Sequence, residues 1–288
     1  MYRLLLAVPF LIGVAVLQGL TVEIDTFHGS DAGTYQLPTI LQLSERLDLS
    51  DYPSAQTPLF HLLMAGWGEL VGFELWKLRL LNVVISYGAA LALLRLLRRA
   101  TPLGELPAFA LTLAFVLSPY YFGASFTLLT DNLAILLGLV ALERVHAHAR
   151  TGSPAAFALA CLAIGAAVFT RQSFLWLVPV AAFFLLRRPD SAVPQALGSA
   201  ECARIPVWRR ALGLALLGLA LAPLAALVVE WNGLVPPSAD PASCGLCTDR
   251  PGVGRDALTL RTVGFTMALL GIYAALVLGP ALARRARA

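Results

Sequence analysis

Charge is scarce in this chain. Asp, Glu, Lys and Arg make up 13% of its 288 residues, roughly half the share found in an average soluble domain, and 58% of the residues are hydrophobic. That composition excludes a water-soluble globule. Cysteine is scarce too: the four residues are spread along the chain, which excludes a disulfide-stapled miniprotein. A regular alternation of apolar and polar positions in ten-residue segments is also missing, which argues against a membrane β-barrel. What is present is a series of long Leu- and Ala-rich runs from Leu4 to Leu278, and these exclude disorder and collagen. In hydrocarbon the backbone must satisfy its own hydrogen bonds, so such runs read as helices. The fold class is therefore all-α, a polytopic membrane protein. The net charge of +4 carries no nucleic-acid signal, because the basic residues stand where membrane topology would place them.

The runs predict about eight transmembrane helices: Leu4 to Val22, Leu78 to Leu97, Leu106 to Ala124, Leu128 to Val145, Ala155 to Thr170, Ser173 to Leu186, Ala211 to Val229 and Leu258 to Leu278. The first would be about 28 Å long as a helix, close to the ~30 Å of a hydrocarbon core. It has no small-x-small cleavage site, so it reads as a span in preference to a cleaved signal peptide. Pro58 to Phe73 is short and contains His61, Gly66, Gly68 and Glu69. With Leu59, Leu63, Trp67 and Leu70 at helical spacing, it reads as an interfacial helix.

Basic residues fix the expected orientation. With the interfacial assignment, Arg95, Arg98, Arg99, Arg144, Arg150, Arg187, Arg188, Arg204, Arg209, Arg210, Arg284, Arg285 and Arg287 fall on the same side as Arg3. In all, 14 of the 21 basic residues share that side with only four acids. Lys and Arg excess marks the cytoplasmic face, so both termini are expected there, in a multi-pass protein of a bacterial plasma membrane. One transmembrane domain, 1–288, then carries an outer loop at 23–75, a cytoplasmic linker at 189–207 and a second outer loop at 230–257.

Polar residues gather at the outer helix ends. Glu23, Asp25, His28, Asp31 and Tyr35 follow the first span directly, and Asp51 precedes the interfacial helix with its His61. Thr130-Asp131-Asn132 opens the fourth span, and Thr170-Arg171-Gln172 is the turn between the fifth and sixth. This distribution suggests group transfer from a lipid-linked phosphate at the outer surface. A carboxylate such as Asp25 accepts the proton of an attacking hydroxyl, while Arg171 binds the departing phosphate. A blander account stands beside each residue: solvated loop acids, a snorkelling arginine, and a helix cap at Thr130 or Asp131.

Taken in order, these motifs resemble the GT-C superfamily of lipid-phosphate-sugar-dependent glycosyltransferases. Asp25-Thr26-Phe27-His28 with Tyr35 resembles the acidic, Phe-His and Tyr motif of the dolichyl-phosphate-glucose-dependent alpha-1,2-glucosyltransferases. Ile24 stands at the first acid of that motif, Asp25 at the second, and Glu23 as its substitute. Asp51 with Pro58, Thr130-Asp131, and Arg171-Gln172-Ser173 through Trp176 resemble further segments of that family. The resemblance runs from Glu23 to Trp176. It implies an inverting transfer, with Asp25, Glu23 or Asp31 as catalytic carboxylate and His28, Tyr35, Asp51, His61, Asp131, Arg171 and Gln172 as substrate contacts. The implied donor is a polyprenyl-phosphate sugar and the implied acceptor a glycan or lipid. Enzymes of this kind differ in whether a divalent metal takes part, so metal dependence stays open. A small transporter or flippase for a lipid or polar solute is the alternative, and an inactive scaffold of the same fold a third. Transporters tend to place charges near the midplane, whereas these cluster at helix ends, which favours the enzyme.

Two features stand apart. Cys244 and Cys247 in the second outer loop suit a small disulfide loop. Glu143, His146 and His148 read as a wetted helix end in preference to a metal site.

Overall fold

The structure is a computed structural model that describes residues 1–20, 35–50, 52–186, 206–233 and 236. All of these lie within the compact unit Met1–Pro237. The expectations for Glu23, Asp25, His28, Asp31, Asp51, the 189–207 linker apart from its last two residues, the Cys244–Cys247 pair and the eighth span fall outside the described residues. Every regular element among the described residues is helical, as expected for this fold class.

The helices are α1 (Tyr2–Leu5), α2 (Val8–Leu20), α3 (Leu37–Glu45), α4 (Leu59–Val71), α5 (Leu75–Ala100), α6 (Glu105–Val116), α7 (Pro119–Ser125), α8 (Asp131–Thr151), α9 (Pro154–Val168), α10 (Leu177–Leu186), α11 (Val207–Ala220) and α12 (Ala222–Glu230), with a 3₁₀ turn at Gln172–Trp176 before α10. Two stretches among the described residues are long and apolar enough to cross a membrane: α5, and α11 with α12 as one run. A third counts if α6 and α7 are one bent span. The single straight span expected at Leu106 to Ala124 is in fact broken, with α7 turned 70° from α6. Pro119 explains the break: it sits at the start of α7, lacks an N–H to continue the ladder, and biases Ser118 to extended backbone. α9 has 15 residues, about 22 Å, and alone falls short of a full hydrocarbon core.

Direction along the bundle follows from side-chain pairings. Asn82 near the start of α5 donates to the Ala124 and Thr127 carbonyls at 2.8 and 2.6 Å, and Asn132 donates to Ser86 Oγ at 2.7 Å. Thirteen positions further along α5, Arg95 meets Glu143 of α8, so α5 and α8 run parallel. α9 returns antiparallel to α8 and delivers Arg171 beside Asp131. α2 rises antiparallel to α5: the Arg3 carbonyl accepts from Tyr87, while Phe10 packs with Val83, Ala89 and Ala90 and Gly13 lies against the Phe126 ring. The chain therefore leaves α2 at the end of the bundle that carries Asp131 and Arg171.

Among the described residues the largest buried apolar cluster lies between α8, α9, α10 and α11, around Ile164, Ala167, Leu177, Leu185 and Leu217. Small residues set that spacing, as is common between membrane helices. A Cβ on Gly165 would stand 2.5 Å from the Ala220 carbonyl oxygen, so α9 and α11 approach here only because a glycine faces the neighbouring backbone.

Candidate functional site

The site is built where four pieces of chain meet: residues 52–58, the start of α7, the start of α8 and the turn after α9. Thr57 Oγ1 donates to the Val168 carbonyl at 2.8 Å, and the Leu59 amide donates to the Phe169 carbonyl at 2.9 Å. These bonds dock the segment before α4 onto the end of α9. Thr130 hydroxyl donates to Gln56 Oε1, tying the start of α8 to the same segment. Gln172 Nε2 donates to the Ala55 carbonyl at 3.2 Å, so Gln172 holds this loop.

Arg171 and Asp131 form an ion pair through Nη1 and Oδ1. Asp131 keeps 15% and Arg171 29% of its side-chain surface accessible, so the pair is sheltered yet reachable. Tyr120 donates its hydroxyl to the same Asp131 oxygen at 2.7 Å. Thus one carboxylate oxygen receives two donors, and its partner cation is fixed from behind. A guanidinium carries five N–H donors in a planar fork; the contact with Asp131 runs through Nη1, and the fork retains capacity for a second anion. Asp131 is also the first residue of α8, where the amides left free at a helix start favour negative charge.

His61 has a different environment. It is wholly buried, with Tyr52 Oη 2.5 Å from Nδ1 and Gln36 Oε1 2.5 Å from Nε2. An amide oxygen can only accept, so Nε2 carries the proton and Nδ1 accepts from the Tyr52 phenol. Burial pushes the imidazole down to about 3 and raises the Tyr52 phenol above its ordinary range. Tyr52 in turn stacks on Trp231 at 5.9 Å between centroids, and Trp231 Nε1 donates to the Leu49 carbonyl at 2.7 Å. His61, expected among substrate contacts, is thus enclosed by protein and pins α3, α4 and the loop between them. The two faces of α4 also divide in an informative way: Phe60, His61, Met64 and Gly68 are buried, and Leu63 and Leu70 of the apolar stripe are exposed. An apolar stripe turned outward suits a helix lying against lipid. Tyr35 is half-exposed at the start of its described segment.

The structure therefore brings Asp131, Arg171 and Gln172 together with the loop that leads to His61. Tyr120 and Gln56 are additions that sequence reading missed. The Ser118-Pro119-Tyr120 interruption of an apolar run was the available signal, since Pro inside a helical pattern marks a break. At the other end, His146 Nε2 lies 3.2 Å from the Arg99 carbonyl and His148 Nδ1 2.8 Å from the Ser153 carbonyl. Among the described residues no group of three His, Cys, Asp or Glu side chains is placed to hold a metal ion.

The helices and this cluster together define a helical membrane protein with a charged, sheltered site at one end of its bundle. Residues 55–195, just under half of the chain, match the family model described as dolichyl-phosphate-mannose-protein mannosyltransferase. The match covers α4 through α10 and includes Asp131, Arg171 and Gln172. No curated protein and no solved structure matches the chain.

Proposed function

We propose that this protein transfers a sugar from a polyprenyl-phosphate donor to an acceptor hydroxyl on a glycan or lipid, at the extracytoplasmic face of a bacterial plasma membrane and with inversion. The observation that carries this reading is the Arg171–Asp131 pair, held at the turn after α9 inside the segment that matches the family model. In the transfer, the acceptor oxygen attacks the anomeric carbon and the bond from that carbon to the phosphate oxygen breaks, the lipid phosphate leaving with the electron pair. The acceptor proton passes to a carboxylate. Arg171 offsets the charge that develops on the leaving phosphate, which is where a fixed cation lowers the barrier, and Asp131 with Tyr120 orients it.

Asp25 is our choice for the base, with Glu23 and Asp31 beside it. Asp25 follows the last residue of α2 by five positions, a reach of at most ~17 Å in extended chain, and α2 ends on the side of the bundle that carries Arg171. His28, Tyr35 and Asp51 complete the proposed donor and acceptor contacts. Both termini are then cytoplasmic, and α4 lies in the outer interface. The resemblance to glucosyltransferases favours a glucosyl donor and the family description a mannosyl one, so both belong in the test. Purified protein in lipid nanodiscs is supplied with polyprenyl-phosphate mannose or glucose, and labelled-sugar transfer is followed for wild type, Asp25→Asn and Arg171→Gln. Transfer that falls at least 100-fold in both variants is expected. Equal turnover of Asp25→Asn and wild type refutes the base; no transfer from either donor refutes the activity.

A further inference from the structure

A second charged feature lies at the opposite end of the bundle and takes no part in the proposed transfer. A cavity of about 610 Å³ opens between α5 and α8, within the ~300–1,000 Å³ range of ligand pockets. Among the described residues five guanidinium groups line it, those of Arg3, Arg95, Arg98, Arg99 and Arg144, against one carboxylate, Glu143. Glu143 is almost wholly buried and receives Arg95 Nε at 2.7 Å, Arg144 Nη2 at 3.3 Å and Arg99 Nη1. Arg98 pairs with Glu105 instead, which lines an adjoining cavity of about 350 Å³ that Arg3 and Arg98 share. Even with both acids counted, positive charge stays in excess by three, from five arginines less two carboxylates.

The rest of the lining is apolar: Leu91 and Ala92 of α5 face Leu136 and Val140 of α8. The guanidinium groups are half-exposed at Arg95 and Arg99, so they border the cavity and are not sealed within the protein. A site with a cationic mouth and an apolar wall, bordered by α5, which is long and apolar enough to cross a membrane, matches a molecule with a phosphate head and an alkyl chain. Basic pockets between membrane helices bind anionic head groups by this combination, and arginine forks grip phosphate bidentately.

We propose that this cavity is a binding site for an anionic membrane phospholipid from the leaflet at that end, its phosphate held by Arg3, Arg95 and Arg98 and its first methylenes lying along Leu91, Leu136 and Val140. An excess of about three positive charges favours a head group with two phosphates over one. The site is independent of the glycosyl-transfer reading and stands or falls separately.

The test uses the full chain, purified in a neutral detergent, with native mass spectrometry counting bound lipid during titration with cardiolipin, phosphatidylglycerol and phosphatidylcholine, and a separate arm with inorganic phosphate. Cardiolipin is expected to bind at least tenfold more tightly than phosphatidylcholine, with phosphatidylglycerol between. The Arg3→Gln/Arg98→Gln double variant is expected to lose that preference at least tenfold, and Arg98→Lys to keep most of it. Neither substituted residue touches Glu143, so the buried carboxylate keeps its three partners and folding is preserved; an unchanged melting profile checks this. Equal retention of cardiolipin and phosphatidylcholine overturns the proposal, as does an unchanged preference in the double variant. Displacement of cardiolipin by millimolar inorganic phosphate alone also overturns it, in favour of a soluble-anion site.

Discussion

His61 offers a test of how the loop before α4 is held. Its imidazole is buried and bonded at both nitrogens, and the neutral form is favoured down to about 3. The unfolded chain takes up a proton near pH 6.5. Between these values the unfolded state binds one proton more than the folded state, so stability rises with pH there. The contribution is complete above about pH 6.5 and is lost as pH falls toward 3. Lowering pH from 7 to 5 should therefore cost about 2 kcal/mol from this residue. For a chain of this size that is a fall of roughly 4–8 °C in melting midpoint. The comparison is His61→Gln, whose carboxamide accepts from Tyr52 and donates to Gln36 but does not titrate. Melting of both proteins in neutral detergent at pH 7, 6 and 5, followed by near-ultraviolet circular dichroism, gives the two slopes. The wild type should lose about 2 kcal/mol more than the variant. Parallel slopes would refute both the buried neutral imidazole and its pinning role.

Other predictions follow from the same geometry. Arg171→Lys replaces a planar fork with a point charge and should lower kcat/KM about 10–100-fold in sugar-transfer assays, with Asp131→Asn losing activity through a misplaced Arg171; wild-type rates in both would count against the pair. Glu143→Gln removes from its three partners the one carboxylate that lines the arginine-rich cavity among the described residues, and should cost about 1–3 kcal/mol in thermal unfolding, held to the lower part of the usual range because the arginines are partly exposed. Gly165→Leu should destabilise by more than 2 kcal/mol, because even a Cβ there meets the Ala220 carbonyl. Gly218→Ala, where nothing lies within 4 Å, should be neutral or gain up to about 1 kcal/mol from helix propensity; equal effects of these two substitutions would argue against the close approach of α9 and α11.

The all-helical membrane class was legible from composition and run length alone, because satisfying the backbone in hydrocarbon leaves few solutions. The Asp131 and Arg171 positions were legible too: ionisable residues are costly in apolar surroundings, so those at helix ends stand out in a sequence so poor in charge. Their common face also led to the expectation that Asp131 and Arg171 converge, as their ion pair shows; what the sequence left undecided was the geometry of that meeting and which other polar groups join it. That Arg171 faces Asp131 depends on α9 returning antiparallel along α8, and that His61 is enclosed depends on Gln36, Tyr52 and Trp231 converging from separate segments. Likewise Leu106 to Ala124 reads as one span in sequence, and only the structure shows the 70° bend at Pro119; the arginines that set the orientation gave no hint that five of them ring a cavity. Hydrophobicity and charge are properties of single positions and survive in a string of letters, whereas pairing and enclosure are properties of distance, and distance is set only when the helices pack.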